Sequence, residues 1–157
     1  METTSDGANV RFPPPLVYVA GLAFGVMGAR IWNLPLLGLA PIVRNTAGST
    51  FALAGLIISF AGVGLFVRQR TAIIPYKPAS RLVTSGIYRW TRNPMYLGLA
   101  VTYVGLAIVL NSLAALILLP VVLAIIQLQV ITREEAYLER AFGGEFVAYK
   151  SRVRPWI

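Results

Sequence analysis

Neither cysteine nor histidine occurs anywhere in the 157 residues. Their absence removes disulfides, thiolate nucleophiles, zinc sites of the usual kinds and every histidine-based catalytic triad, so no metal ligand set is expected. Charge is also scarce. Only 13% of residues are charged while 57% are hydrophobic, against roughly a quarter charged in an ordinary soluble domain. A soluble sphere of this size could not hide so much apolar side chain.

What is present is long uncharged runs. Residues Leu16 to Leu34 carry one charge, Arg30, and Ser49 to Val67 carry none. Met95 to Ile131 run for 37 residues without a charge. As one helix that last run would measure about 55 Å, well beyond a hydrocarbon core of about 30 Å, so it must fold back on itself. The polar pair Asn111-Ser112 is the natural turn. The expected fold is therefore an all-α integral membrane protein, a single domain over 1–157, with about four spans at 16–34, 49–67, 95–110 and 113–131.

Net charge is +8, and its distribution sets the topology. Arg68, Arg70, Lys77, Arg81, Arg89 and Arg92 fall between the second and third spans with no acidic residue among them, and five more basic residues lie in 132–157. The link Pro35 to Gly48 has only Arg44. Under the positive-inside rule the middle loop and the C-terminal segment face the cytoplasm, and four spans put the N-terminus there too. The compact form points to the plasma membrane of a prokaryote. Anionic lipid accounts for such a basic loop better than nucleic acid does, so no nucleic-acid partner is expected.

Residues 1–12 read as disordered and, being acidic and polar, do not resemble a cleaved signal peptide. Pro13-Pro14-Pro15 opens the first helix, where a missing N–H costs little. Arg30 snorkels to the interface. Pro35 and Pro41 are expected to break the link before the second span, whose Gly55, Gly62 and Gly64 suit close helix packing. Pro75 and Pro78 argue for an extended path through the middle loop. Pro120 is expected to kink or loosen the fourth helix. Thr132 onward continues that helix out of the membrane, Gly143-Gly144 ends it, and Glu145 to Arg152 form one more short piece. Trp32, Trp90 and Trp156 read as interfacial belt residues.

The polar groups left unexplained by solvation cluster at two places. One is Gly86-Ile-Tyr-Arg-Trp-Thr-Arg-Asn-Pro-Met-Tyr-Leu-Gly98, and the other is Arg133-Glu134-Glu135. A short turn between helices three and four makes them antiparallel neighbours, so these two clusters meet. Arg92, Asn93, Tyr88 and Tyr96 beside Glu134 and Glu135 form a set able to recognise a zwitterionic, nucleotide-like molecule. Arginine suits a carboxylate, glutamate suits ribose hydroxyls or an ammonium, and an aromatic face attracts a sulfonium. The same residues could instead form a structural ion pair that holds two helix ends together.

Gly86-x-Tyr88, then Arg92-Asn-Pro-x-Tyr96-x-Gly98, then Glu134-Glu135-x-x-Leu138-x-x-x-Phe142-Gly143 and Tyr149 with a basic end, resemble the membrane methyltransferases. These are the isoprenylcysteine carboxyl methyltransferases and their bacterial relatives, with phospholipid N-methyltransferases more distant. The resemblance covers roughly residues 70–157. It implies S-adenosylmethionine as cofactor, bound where the last helices end and beneath the C-terminal segment, and an acceptor that enters from the lipid. Carried over, Tyr88, Asn93, Pro94, Tyr96, Gly98, Glu134 and Glu135 would bind the cofactor. Arg92 and Arg133 would be the catalytic candidates that position an acceptor carboxylate. Many members carry histidine where this chain has Asn93, which removes a titratable base at that position. The implied reaction is carboxyl O-methylation of an isoprenylcysteine-like, lipidated or lipophilic acceptor. The alternatives are a phospholipid, amine or thiol acceptor, or a non-catalytic membrane scaffold.

Overall fold

The computed structural model describes residues 8, 10, 12–69 and 81–157. The extended path expected around Pro75 and Pro78 lies outside the described residues. Among the described residues there are helices and no strands, as the sequence implied.

Helix α1 spans Pro14–Ile31 and α2 spans Pro41–Arg68. Each begins with proline in the first turn, the position at which its absent N–H leaves nothing unsatisfied. The second span was expected to start at residue 49 after a break at Pro41. Pro41 instead starts the helix, because a break and an N-terminal position look alike in sequence. Ala8 and Val10, in the stretch expected to be disordered, are buried against the bundle, with Phe12 packed beside them.

A short 3-10 turn at Gly86–Arg89 leads into α3, Pro94–Val109. The hairpin forms where it was expected. Asn111 adopts φ 56° and its Oδ1 accepts from Leu37 N at 3.1 Å. Ser112 caps α4 by accepting from Ala115 N at 3.2 Å and donates to the Gly25 carbonyl at 3.3 Å. Helix α4, Leu113–Ile126, stays helical through Pro120. Where a kink was expected at the proline, the helix instead widens one to two turns later, in a π segment at Gln127–Ile131 that runs straight into α5, Thr132–Phe142. Gly143, at φ 52°, ends α5, and α6 covers Gly144–Lys150.

Three of these helices are long and apolar enough to cross a membrane: α1, α2 and the continuous 30-residue rod Leu113–Phe142. Helix α3 is apolar but has 16 residues, about 24 Å of rise, which is short of a hydrocarbon core of about 30 Å. Four spans were expected; length and composition support three, with α3 packed among them. The apolar part of the rod ends near Ile131, so α5 and α6 lie beyond the spanning segment.

Helix α3 is held by both neighbours. Against α2 the contact is made by glycines seven residues apart on each helix, with Gly55 facing Gly98 and Gly48 facing Gly105. A side chain at Gly98 would collide with Ser59 and the Gly55 carbonyl, so the two backbones approach as closely as small residues allow. Ser59 Oγ donates to Met95 O at 3.2 Å, and Thr102 Oγ1 to Gly98 O at 2.9 Å. Gly62 packs on Met95, whereas Gly64 meets nothing within 4 Å and does not share the packing role expected of it. On the other side, Tyr103 OH of α3 donates to the Ala115 carbonyl of α4 at 2.8 Å, and Gly25 of α1 lies against the same Ala115 backbone. Tyr103, Ile126, Val130 and Ile131 belong to the central core, and Phe146 is buried on α6.

Candidate active site at the shared end of α3 and the α4–α5 rod

The hairpin brings the start of α3 back to the far end of the rod, and the two polar clusters do meet. Arg92 donates from Nε and Nη2 to one oxygen of Glu135, at 3.0 and 2.7 Å. Both side chains are largely buried, 9% and 15% exposed. Nη1 donates to the carbonyls of Lys150 (3.0 Å) and Val153, and the Arg92 backbone N–H donates to Arg154 O at 2.9 Å. The guanidinium is therefore engaged at all three nitrogens by groups of the chain itself. The carboxylate it was expected to find in a ligand is supplied here by Glu135, which also faces Lys150 Nζ at 3.7 Å.

Asn93 plays a matching part. Its Nδ2 donates to Pro155 O at 2.9 Å, and Thr91 Oγ1 donates to the same carbonyl at 3.1 Å. Together Thr91, Arg92 and Asn93 fasten residues 150–155 across the start of α3. Tyr149 OH donates to Tyr88 O at 2.7 Å and ties α6 to the 3-10 turn. Trp156 is no belt residue: it packs on the core and its Nε1 donates to Gln127 Oε1 at 2.8 Å, in the π segment. Trp32 and Trp90 are exposed, as interfacial tryptophans should be. An extra residue in a π turn rotates the downstream helix by about 100°, and this is the point from which Glu134 and Glu135 are aimed.

Tyr96 OH donates to Glu134 Oε1 at 2.6 Å, while Tyr18 of α1 donates its hydroxyl to Tyr96 O at 2.9 Å. Burial pushes the Glu134 carboxyl up to about 7; the Tyr96 hydrogen bond opposes this and the neighbouring Glu135 charge adds to it. Tyr88 is 4% exposed and its ring lies 5.5 Å from that of Phe66. Burial, then Tyr149 and Glu134, hold its hydroxyl in the neutral form. That hydroxyl is buried and has no hydrogen-bond partner among the described residues. Groups of this kind are rare in native structures and cost about 1–3 kcal/mol when left unpaired.

The structure thus brings together Tyr88, Arg92, Asn93, Tyr96, Glu134 and Glu135. Pro94 occupies the first turn of α3, and Gly98 lies in the α2 contact rather than toward the glutamates. Arg133 hydrogen-bonds Gln129 Oε1 at 3.0 Å, one turn earlier on its own helix. Sequence reasoning missed Thr91, Tyr18, Gln127 and the role of Trp156. A lone tyrosine inside an apolar span, as Tyr18 is, was the one signal that could have been read.

The phospholipid methyltransferase family matches residues 43–145, about two thirds of the chain and nearly all of the α2–α5 frame. The chain belongs to that family. Among curated relatives of this family member, a protein-S-isoprenylcysteine O-methyltransferase of Schizosaccharomyces pombe is 38% identical over 72 residues, 46% of this chain and 30% of that one. Protein-S-isoprenylcysteine O-methyltransferase B of Arabidopsis thaliana is 31% identical over 108 residues, 68% and 55% of the two chains. An uncharacterized protein of Haemophilus influenzae is 51% identical over 47 residues, 30% and 73%. The match with the two named enzymes spans about a third to a half of their length. No solved structure matches this chain. The likeness to isoprenylcysteine methyltransferases read from the two motifs is borne out by these relatives.

Proposed function

We propose that this membrane protein transfers a methyl group from S-adenosylmethionine to a lipophilic acceptor. The observation that carries the reading is the buried Tyr88 hydroxyl, without a hydrogen-bond partner among the described residues, beside the Tyr96–Glu134 pair and beneath a C-terminal segment pinned in place. Such a group suits a ligand polar atom, and the donor set suits this cofactor. Tyr88 and Tyr96 offer aromatic faces to a sulfonium, and Glu134 offers an acceptor for hydroxyls or an ammonium. When bound, S-adenosylmethionine supplies an electrophilic methyl group on a sulfonium.

The rest is done by the chain. In-line displacement needs alignment and exclusion of water, and positioning alone contributes roughly 7 to 11 kcal/mol in well-oriented reactions. Residues 150–155, held by Thr91, Arg92 and Asn93, cover the site and exclude water. Arg92 is a positioning residue, since its donors are spent on Glu135 and on the C-terminal carbonyls. Arg133, the family-like basic residue just before the paired glutamates, is the cation proposed for an acceptor carboxylate, with isoprenylcysteine-like O-methylation as the leading reaction. A second reading comes from Glu134: a carboxyl titrating near 7 can accept a proton from an amine or thiol acceptor. The site is cytoplasmic in this reading, because the basic residues flank it, and the membrane is a prokaryotic plasma membrane.

The test is turnover with radiolabelled cofactor, with a farnesylated cysteine acid and an aminophospholipid compared as acceptors. Methylation of the acid that falls in Arg133→Gln supports the leading reaction. Methylation of the amine that falls in Glu134→Gln supports the second. Methylation of neither by a folded sample that binds cofactor would remove both.

A further inference from the structure

At the opposite end of the bundle, between the C-terminus of α1, the link after it and the α3–α4 hairpin, lies a cavity of about 380 Å³. Val26, Leu36 and Leu110 give it an apolar wall, and Arg30, Asn33 and Asn111 give it a polar one. It is separated from the Tyr88–Glu134 site by the full run of α3, 16 residues, or about 24 Å. It is therefore no part of that site.

Three features set the cavity apart from ordinary surface. First, the Arg30 guanidinium and the Asn33 carboxamide have no hydrogen bond or ion pair with any described residue. No described carboxylate can reach Arg30, since the glutamates at 134, 135, 139 and 145 all belong to the other end. Second, Asn33 and Asn111 are the non-glycine residues with positive φ among those described, at 49° and 56°. Asparagine tolerates this region better than most residues, but strained backbone gathers where a shape is being held. Third, the walls are fixed. Asn111 Oδ1 holds Leu37 N, and Ser112 spans from Gly25 O to Ala115 N. Snorkelling to the interface explains why Arg30 sits at the end of α1. It leaves the cavity and the Asn33 amide unused.

A preformed hollow with an apolar wall and two polar donors in its lining has the make-up of a ligand site. An unneutralised arginine and an amide select an oxyanion, and the apolar wall selects one that carries a hydrocarbon chain. Exposed Ile31, Trp32 and Leu36 beside the mouth place it at the level where lipid headgroups begin. We propose that this cavity binds an anionic phospholipid, with its phosphate on Arg30 and Asn33 and the start of its acyl region along Val26, Leu36 and Leu110.

The test is native mass spectrometry of the full chain in detergent. The probes are dioleoyl phosphatidylglycerol, dioleoyl phosphatidylcholine and chain-free glycerol 3-phosphate. The expected result is one phosphatidylglycerol retained per chain in preference to phosphatidylcholine. Arg30→Gln should weaken that affinity at least tenfold, Asn33→Ala should weaken it less, and Arg44→Gln on the same face should leave it unchanged. Arg30→Lys, which keeps the charge, should retain most of the binding and so separates loss of charge from loss of fold. Equal retention by wild type and Arg30→Gln, or equal loss in Arg30→Lys and Arg30→Gln, would overturn the proposal. Displacement of the lipid by an equal concentration of glycerol 3-phosphate would overturn it too, by showing a small-anion site.

Discussion

The two ends of this bundle treat charge in opposite ways. At one end Arg92 is buried and answered at every nitrogen by Glu135 and the C-terminal carbonyls, and Glu134 accepts from the Tyr96 hydroxyl. At the other end Arg30 is exposed, has no described partner and sits beside a cavity. The difference teaches where specificity can be built in a protein that has few charges. A buried pair is costly to assemble and costlier to break, so it fixes geometry. A lone interfacial charge costs little and remains available to lipid.

The largest expected effect comes from breaking the first end. Glu135→Gln leaves Arg92 buried without its counter-charge, and unfolding in detergent should show a loss of about 3–5 kcal/mol. Arg30→Gln should cost almost nothing by the same measurement, and equal losses at the two ends would erase the contrast. Next comes Gly98→Val. Its side chain would collide with Ser59 and Gly55 O, and overpacking of this kind costs roughly 1–3 kcal/mol. This loss concerns the frame and should appear in stability before it appears in ligand affinity.

Acidity bears on the first end through Glu134. Burial raises Glu134 from 4.5 to about 7, so the folded state holds that proton more tightly than the unfolded chain does. The resulting stability is fully present below pH 4.5 and is lost as pH rises through about 7. The unfolding temperature should therefore fall between pH 5 and pH 8 relative to that of Glu134→Gln, in which this contribution is absent. A pH dependence unchanged by the substitution would show that Glu134 keeps its ordinary acidity. The smallest effect is expected from Trp156→Phe, which keeps an aromatic ring of smaller size and loses the bond to Gln127, worth about 0.5–1.5 kcal/mol.

The sequence displayed the frame well for one reason: uncharged runs and turn residues are local signals. Asn111-Ser112 was legible as a hairpin because two polar residues interrupt an apolar run. The pairing of Arg92 and Tyr96 with the two glutamates was legible because a short turn forces the helix ends together. Pro41 was misread because proline starts helices as readily as it ends them. Trp156 was misread because nothing local says whether an indole N–H will meet water or Gln127. The fastening of residues 150–155 by Thr91, Arg92 and Asn93 runs through backbone carbonyls, which leave no trace in residue identity. The short α3 was hidden in its own composition, since an apolar helix buried among others and one that spans a bilayer look the same.

Titration calorimetry of the detergent-purified chain with S-adenosylmethionine, beside Tyr88→Phe, tests the central claim most directly. Removing a phenol that has no partner among the described residues should leave the unfolding temperature unchanged or raise it. Cofactor binding should also weaken about tenfold, the worth of one hydrogen bond of roughly 1.4 kcal/mol. Cofactor binding of equal strength in both proteins, or none to a folded wild type, would contradict it.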